Sequence, residues 1–144
     1  MSAFRSIEWV DSGAVRMLDQ RLLPAETVYN DYTHVSEVAQ AIRDMVIRGA
    51  PAIGAAAAYG LALTAQRTTA VSPDDLRAEL NEAATLLAQA RPTAVNLFWA
   101  IKRMQSRIAD PALTTVAALQ EATLAEACAI AAEDVAINKQ IGQH

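Results

Sequence analysis

Two arginines in this chain each stand at a break between apolar, helix-like segments. Arg48 opens the run "RGAPAIG" at 48–54, and Arg91 opens "RPTAVNLFWA" at 91–100. Arg48 closes one expected helix, and Gly49 and Ala50 lead into the next, which Pro51 starts at its first turn. The first amides of a helix have no acceptor within it and point outward at the positive end of the dipole, so they suit an anion. Glycine lets a ligand approach the backbone, and a guanidinium can hold two phosphate oxygens at once. Arg91 repeats the arrangement directly before Pro92 and its expected helix. Two arginines, each beside a helix start, predict a phosphate held from two sides. A plainer alternative stands beside that reading. Each arginine also ends a helix whose negative pole suits a cation, and Gly49 is then only a cap. The run is no P-loop, because the required lysine and serine or threonine do not follow the glycines.

Other reactive side chains carry less. Cys128 lies in "EACAIAAED" with no histidine or base beside it, so a buried structural thiol is expected rather than a nucleophile. His34 neighbours an expected helix cap and His144 is the last residue; neither makes a ligand spacing with Cys128 or a carboxylate, so no metal is expected. Asp74-Asp75 and Glu133-Asp134 read as a helix start and a solvated face rather than paired acid and base. Asn96, one turn beyond Arg91, either reaches a polar ligand group or is simply exposed.

These residues need elements to hold them. "SIEWV" alternates, with Ile7 and Trp9 on one face; "DSG" at 11–13 signals a turn, and "AVRML" reads as a second strand. "ETVYNDY" at 26–32 reads as a third. From Thr33, an expected N-cap, the period becomes helical through Val35, Val38, Ala39, Ile42, Met45 and Val46, and Gly49 stands where a C-terminal glycine belongs. The segment 49–66 has no charged side chain but few large aliphatics, which predicts a buried central helix rather than a membrane span. Ser72-Pro73-Asp74-Asp75 caps and starts the next helix, whose buried stripe is Leu76, Leu80, Ala83, Ala84 and Leu87. Pro92 opens another, with Val95, Phe98, Trp99, Ile101 and Ile108 as apolar members and Asp110-Pro111 as its stop. A last helix runs from about Thr115 through Leu119, Ala127, Ile130, Ala131 and Val135. The expected class is α+β: a small antiparallel three-stranded sheet over 1–32, then an alanine-rich helical bundle over 33–144, together one domain.

The totals agree. A chain of 144 residues can bury a sufficient core without staples, and its single cysteine forms no internal disulfide, which points to a reducing, cytoplasmic setting. A net charge of −4 argues against a nucleic-acid partner, though paired arginines can still hold a small anion. The N-terminus lacks the apolar core of a signal peptide. "INKQIGQH" stops at a glycine that normally leads into another element, so a truncated chain is expected.

"EVAQAIRDMVIRGAPAIGAAAAYGLAL", "RPTAVNLFWAI" and the opening "IEWVDSGAVRMLDQRLLPAE" closely resemble the methylthioribose-1-phosphate isomerase family, within a superfamily shared with the alpha, beta and delta subunits of a translation-initiation exchange factor. The resemblance covers nearly the whole chain. It implies isomerisation of 5-methylthioribose 1-phosphate to 5-methylthioribulose 1-phosphate, in methionine salvage, without metal or organic cofactor. It also implies substrate contacts by Arg48, Gly49, Ala50 and Arg91, and a homodimer for the full-length protein. Members of that family are roughly twice as long, and a second, Rossmann-like domain supplies their catalytic cysteine and aspartate. Cys128 does not sit in that cysteine's context, so the role is not carried to it. Ring opening and a proton or hydride shift between C1 and C2 both need placed acids and bases. This stretch is therefore expected to bind substrate and to be inactive alone. The alternatives are a regulatory or assembly module that senses a sugar phosphate, a plain helical interaction domain, and an isomerase of another phosphorylated pentose.

Overall fold

Strict alternation followed by Asp11-Ser12-Gly13 folds as a hairpin. In the computed structural model, which describes residues 7–47 and 49–142 (backbone only at Ala50 and 134–142), β1 spans Ile7–Val10 and β2 Ala14–Leu18. Gly13 takes φ 86°, and its amide donates to the Val10 carbonyl at 2.8 Å, closing the turn. β3, Tyr29–Tyr32, completes an antiparallel sheet in the order β1-β2-β3, with Trp9 opposite Val15 and Val15 opposite Tyr32. The third strand is shorter than the expected 26–32: regular pairing runs from Val15–Tyr32 to Leu18–Tyr29, and beyond it the Asp19 amide donates to the Val28 carbonyl at 2.8 Å.

Asp19, just past β2, is 3% exposed and the one buried carboxylate among the described residues. Its oxygens accept from the Arg21 amide at 3.1 Å, Nε at 2.9 Å and Nη2 at 2.7 Å. The hydrogen bonds from the Arg21 side chain hold this carboxyl below the usual carboxylate range, outweighing the opposing effect of burial. With its folded pKa depressed, Asp19 stabilises the fold above the unfolded value of about 3.9, and that stability is lost as pH falls through the folded value. Asp19→Asn should therefore lower stability at neutral pH and flatten the acid limb of a urea midpoint measured against pH. An unchanged limb would contradict this.

Five helices follow: α1 Val35–Arg43, α2 Ala50–Gln66, α3 Pro73–Ala88, α4 Val95–Ile108 and α5 Val116–Gly142. The α+β class is thus the observed one. The N-cap of α1 is His34, one residue after the expected Thr33: its Nδ1 accepts from the Ser36 amide, while the Glu37 carboxylate accepts from the amides of Thr33 and His34. The end of α1 also differs from expectation. Met45, not Gly49, takes the left-handed position, at φ 62°. The Met45 amide donates to the Ile42 carbonyl and the Val46 amide to Ala41, the paired bonds of a Schellman ending. That motif folds Val46 back into the core and leaves Met45 exposed. Glycine is still required at 49, where φ is 91°.

The uncharged helix α2 is the axis of the domain, as its composition predicts. Every residue from Ile53 to Leu63 is buried, and the helix packs against α1, α3, α4, α5 and the first two strands. Trp9 and Tyr59 bring their rings to 5.8 Å where the sheet meets it. The α3 stripe of Leu76, Leu80, Ala83, Ala84 and Leu87 is buried as expected, and Ser72 Oγ caps that helix by accepting from the Asp75 amide at 3.1 Å. α4 begins three residues later than Pro92. The Arg91 carbonyl accepts from the Ala94 amide at 3.0 Å, so Pro92 and Thr93 form a turn instead of helix. Of the expected apolar members of α4, Ile101 and Ile108 are buried, whereas Val95, Phe98 and Trp99 are exposed.

Candidate functional site

Helix starts need acceptors for their first amides. His34, Ser72 and Thr115 Oγ1 supply side-chain caps to α1, α3 and α5. α2 begins at Gly49 and α4 at Ala94, and neither has a side-chain cap. Both uncapped starts border the same cavity of about 350 Å³. Met45, Gly49, Ile53, Arg91, Ala94, Val95 and Asn96 line it.

Two of the four expected contact residues, Gly49 and Arg91, thus meet on one cavity although 42 positions separate them. Ala50 is the first residue of α2, directly after Gly49, and Arg48 lies outside the described residues. Arg91 is half-buried, the only charged residue of the lining among the described residues, and makes no ion pair with a described residue. Its route here differs from expectation: it precedes a turn, and that turn aims the start of α4 at the cavity. Two helix starts without side-chain caps, their positive poles and the Arg91 guanidinium therefore border a space that no carboxylate lines among the described residues. Such a surface attracts an anion.

A second hollow of about 320 Å³ adjoins the first and shares Val95 and Asn96 with it. Pro51, Gly54, Trp99, Ile130 and Glu133 complete its wall. The Glu133 carboxylate accepts from Arg103 Nη1 at 2.8 Å and Nη2 at 2.7 Å, and Arg103 Nε also donates to Glu126 at 2.7 Å. The Arg103 guanidinium lies 5.5 Å from the centre of the Trp99 ring. Its hydrogen bonds hold Glu133 below the usual carboxylate range, so that group stays ionised at neutral pH. It is poorly placed to give a proton. The two hollows together offer anion binding, a half-buried amide side chain and an apolar wall, with no acid and base facing each other.

Met45, Ile53 and Val95 were not singled out as lining from sequence. The available signal was negative: no Ser, Thr, Asp or Asn stands at either Gly49 or Ala94. Cys128 is exposed on α5 and lines neither hollow, contrary to the expected buried thiol, because its neighbour Ala127 takes the inward position. Asp74 and Asp75 open α3 as read. Glu133 is exposed yet committed to Arg103, more than a solvated face requires. His144 lies outside the described residues. Among the described residues no three His, Cys, Asp or Glu side chains gather so as to hold a metal ion, and no helix is long and apolar enough to cross a membrane.

Residues 46–144 match the model of the Initiation factor 2 subunit family. The chain is 54% identical over 142 residues to a methylthioribose-1-phosphate isomerase of Synechococcus, covering 99% of this chain and 40% of the relative. It is 50% identical over 138 residues to a 5-deoxyribose 1-phosphate isomerase of Moorella thermoacetica, covering 96% of the chain and 39% of that relative. Among solved structures, 5-methylthioribose 1-phosphate isomerase of Pyrococcus horikoshii superposes with a TM-score of 0.87 at 38% identity, over 92% of this chain and 37% of that one. The delta subunit of translation initiation factor eIF-2B from A. fulgidus superposes with a TM-score of 0.84 at 40% identity, over 92% and 38%. The chain therefore spans about two fifths of the length of the curated relatives it matches.

Proposed function

We propose, from the premise that the chain belongs to the Initiation factor 2 subunit family, that it is the sugar-phosphate-binding part of an aldose–ketose isomerase acting on 5-methylthioribose 1-phosphate. One observation carries the reading: two helix starts without side-chain caps and Arg91 converge on a single cavity that no carboxylate lines among the described residues. The phosphate sits against the first amides of α2 and α4, held by Arg91 and by Arg48 from the segment before Gly49. Gly49 and Ala50 let the ligand reach the backbone. The sugar extends past Asn96 toward the apolar hollow.

Chemistry belongs to the longer protein. Isomerisation needs a placed acid and base; the one carboxylate lining the hollows among the described residues, Glu133, is tied up by Arg103 and has no acid facing it. We assign those groups, and the contacts of a homodimer, to a further domain of the longer protein. The chain by itself binds and does not turn over.

The test is calorimetric titration of the chain with 5-methylthioribose 1-phosphate and with unphosphorylated methylthioribose. Arg91→Ala is expected to weaken the phosphorylated ligand by about tenfold or more, the range of a charge-assisted hydrogen bond, and to leave the unphosphorylated sugar unaffected. Equal affinity of wild type and Arg91→Ala for the sugar phosphate would sink the assignment. Turnover by the pure chain, lost in Cys128→Ala, would sink the claim of inactivity.

The 40% identity to the eIF-2B delta subunit supports a second reading, a regulatory module that senses a sugar phosphate without converting it. Joining the chain to the unmatched part of the Synechococcus relative separates the two. Restored turnover supports the isomerase; intact binding without turnover supports the sensor.

A further inference from the structure

A charged cleft lies away from the site just described, where α1 begins and α2 ends. It has a volume of about 370 Å³, within the range of small-molecule sites. The 17 residues of α2 separate it from Gly49, about 25 Å at the usual helical rise.

Besides His34, Val35 and three threonines, its lining offers three chemistries. Arg67, the residue that ends α2, brings a guanidinium. Glu79 and Glu82, three apart on α3, bring two carboxylates from one helix face. Leu63, Ala83 and Leu86 supply an apolar floor.

Opposite charges that share a cleft ordinarily pair. Here they do not. Arg67 forms no ion pair with a described residue, although both glutamates line the same space, and Glu82 has no partner among the described residues. Glu79 is positioned: one of its oxygens accepts from Thr68 Oγ1 at 2.6 Å, and Thr68 Oγ1 in turn accepts from the Ala70 amide at 3.0 Å.

A simple anion would meet two carboxylates, and a simple cation would meet Arg67. A phosphate fits poorly for the first reason, and a divalent ion for the second. The cleft suits a molecule with both charges on one short frame and an aliphatic tail: an ammonium toward Glu79 and Glu82, a carboxylate toward Arg67, and the tail on Leu63, Ala83 and Leu86. We propose that this cleft binds a neutral α-amino acid with an aliphatic side chain, at a site separate from the sugar-phosphate cavity.

The test uses the whole chain, nitrogen-15 labelled, titrated with L-leucine and followed by two-dimensional amide spectra. Two one-charge analogues serve as controls: 4-methylpentanoate, which lacks the ammonium, and 3-methylbutylamine, which lacks the carboxylate. L-leucine is expected to produce saturable shifts at the amides of Thr64, Thr68 and Glu82, with both analogues about tenfold weaker or more. Arg67→Gln and Glu82→Gln should each weaken leucine by a similar factor. Both positions are exposed, so the spectra themselves verify that the variants fold, and each variant tests the site without the other. Absence of saturable shifts at those amides overturns the proposal. So does either analogue binding as well as leucine, or leucine affinity unchanged in both variants. Because neither residue lines the sugar-phosphate cavity, failure here leaves that reading untouched.

Discussion

Gly54→Leu is expected to destabilise the domain by roughly 3 kcal/mol and to weaken sugar-phosphate binding in the molecules that remain folded. A side chain at position 54 would begin 3.3 Å from the backbone carbonyl oxygen of Asn96 and 3.5 Å from Ala100 Cβ. The first contact is backbone, which cannot swing aside as the tip of a leucine could. Leucine must therefore push α4 off α2. Asn96 lines both hollows and Arg91 leads into the same helix through the turn at 92–93, so separating the two helices moves the proposed phosphate contacts apart from Gly49. Alanine is a different case. Its single methyl meets a tight contact, but it gains about 1 kcal/mol of helix propensity over glycine, and the two effects nearly cancel. Urea melts of both variants, paired with titration of the sugar phosphate, check the prediction. A leucine variant that melts with the parent would mean that α4 is not seated against α2 as described.

Arg77→Met is the second large effect, expected at about 2–3 kcal/mol. From α3, Arg77 Nε donates to the Ile108 carbonyl at 2.9 Å, and Nη2 donates to the carbonyls of Asp110 at 3.0 Å and Leu113 at 2.9 Å. One guanidinium thus ties the end of α4 and the loop before α5 to α3. Methionine preserves much of the stem's packing and leaves three carbonyls without this donor. The nearby Asp74 contact, 3.5 Å with the aspartate 95% exposed, contributes little. Lysine should rescue less than half of the loss, because a single ammonium cannot reproduce the planar fork. Thermal melts of Arg77→Met and Arg77→Lys measure both. Full rescue by lysine would show that charge, and not geometry, holds the loop.

Much of the scaffold was legible because its signals are local. Alternation with a turn triplet marks β1 and β2, and Ser72-Pro73-Asp74-Asp75 marks the start of α3. The misreadings arose where tertiary structure overrode a local preference. Met45 occupies a backbone region that glycine usually takes, so periodicity alone carried α1 too far. Pro92 suits the first turn of a helix and the corner of a β-turn equally, and the Arg91–Ala94 hydrogen bond chose the turn. The apolar residues Val95, Phe98 and Trp99 share a helix with core residues, and no sequence period separates those facing inward from those facing out. The candidate site was half legible. Gly49 and Arg91 were read from their neighbours, whereas Ile53 and Asn96 come together only through the α2–α4 packing.

The encirclement of α2 has a consequence for how this domain comes apart. A helix in contact with four other helices and two strands, and buried without a break from Ile53 to Leu63, does not open its central turns independently of its neighbours. Its amides can exchange with solvent only through openings that release most of the fold. The carbonyl oxygens and methyl groups that surround it leave no surface half free to melt first. Partial unfolding is thus expected at the periphery, in β3 and the ends of the outer helices, and the buried middle of α2 is expected to open last.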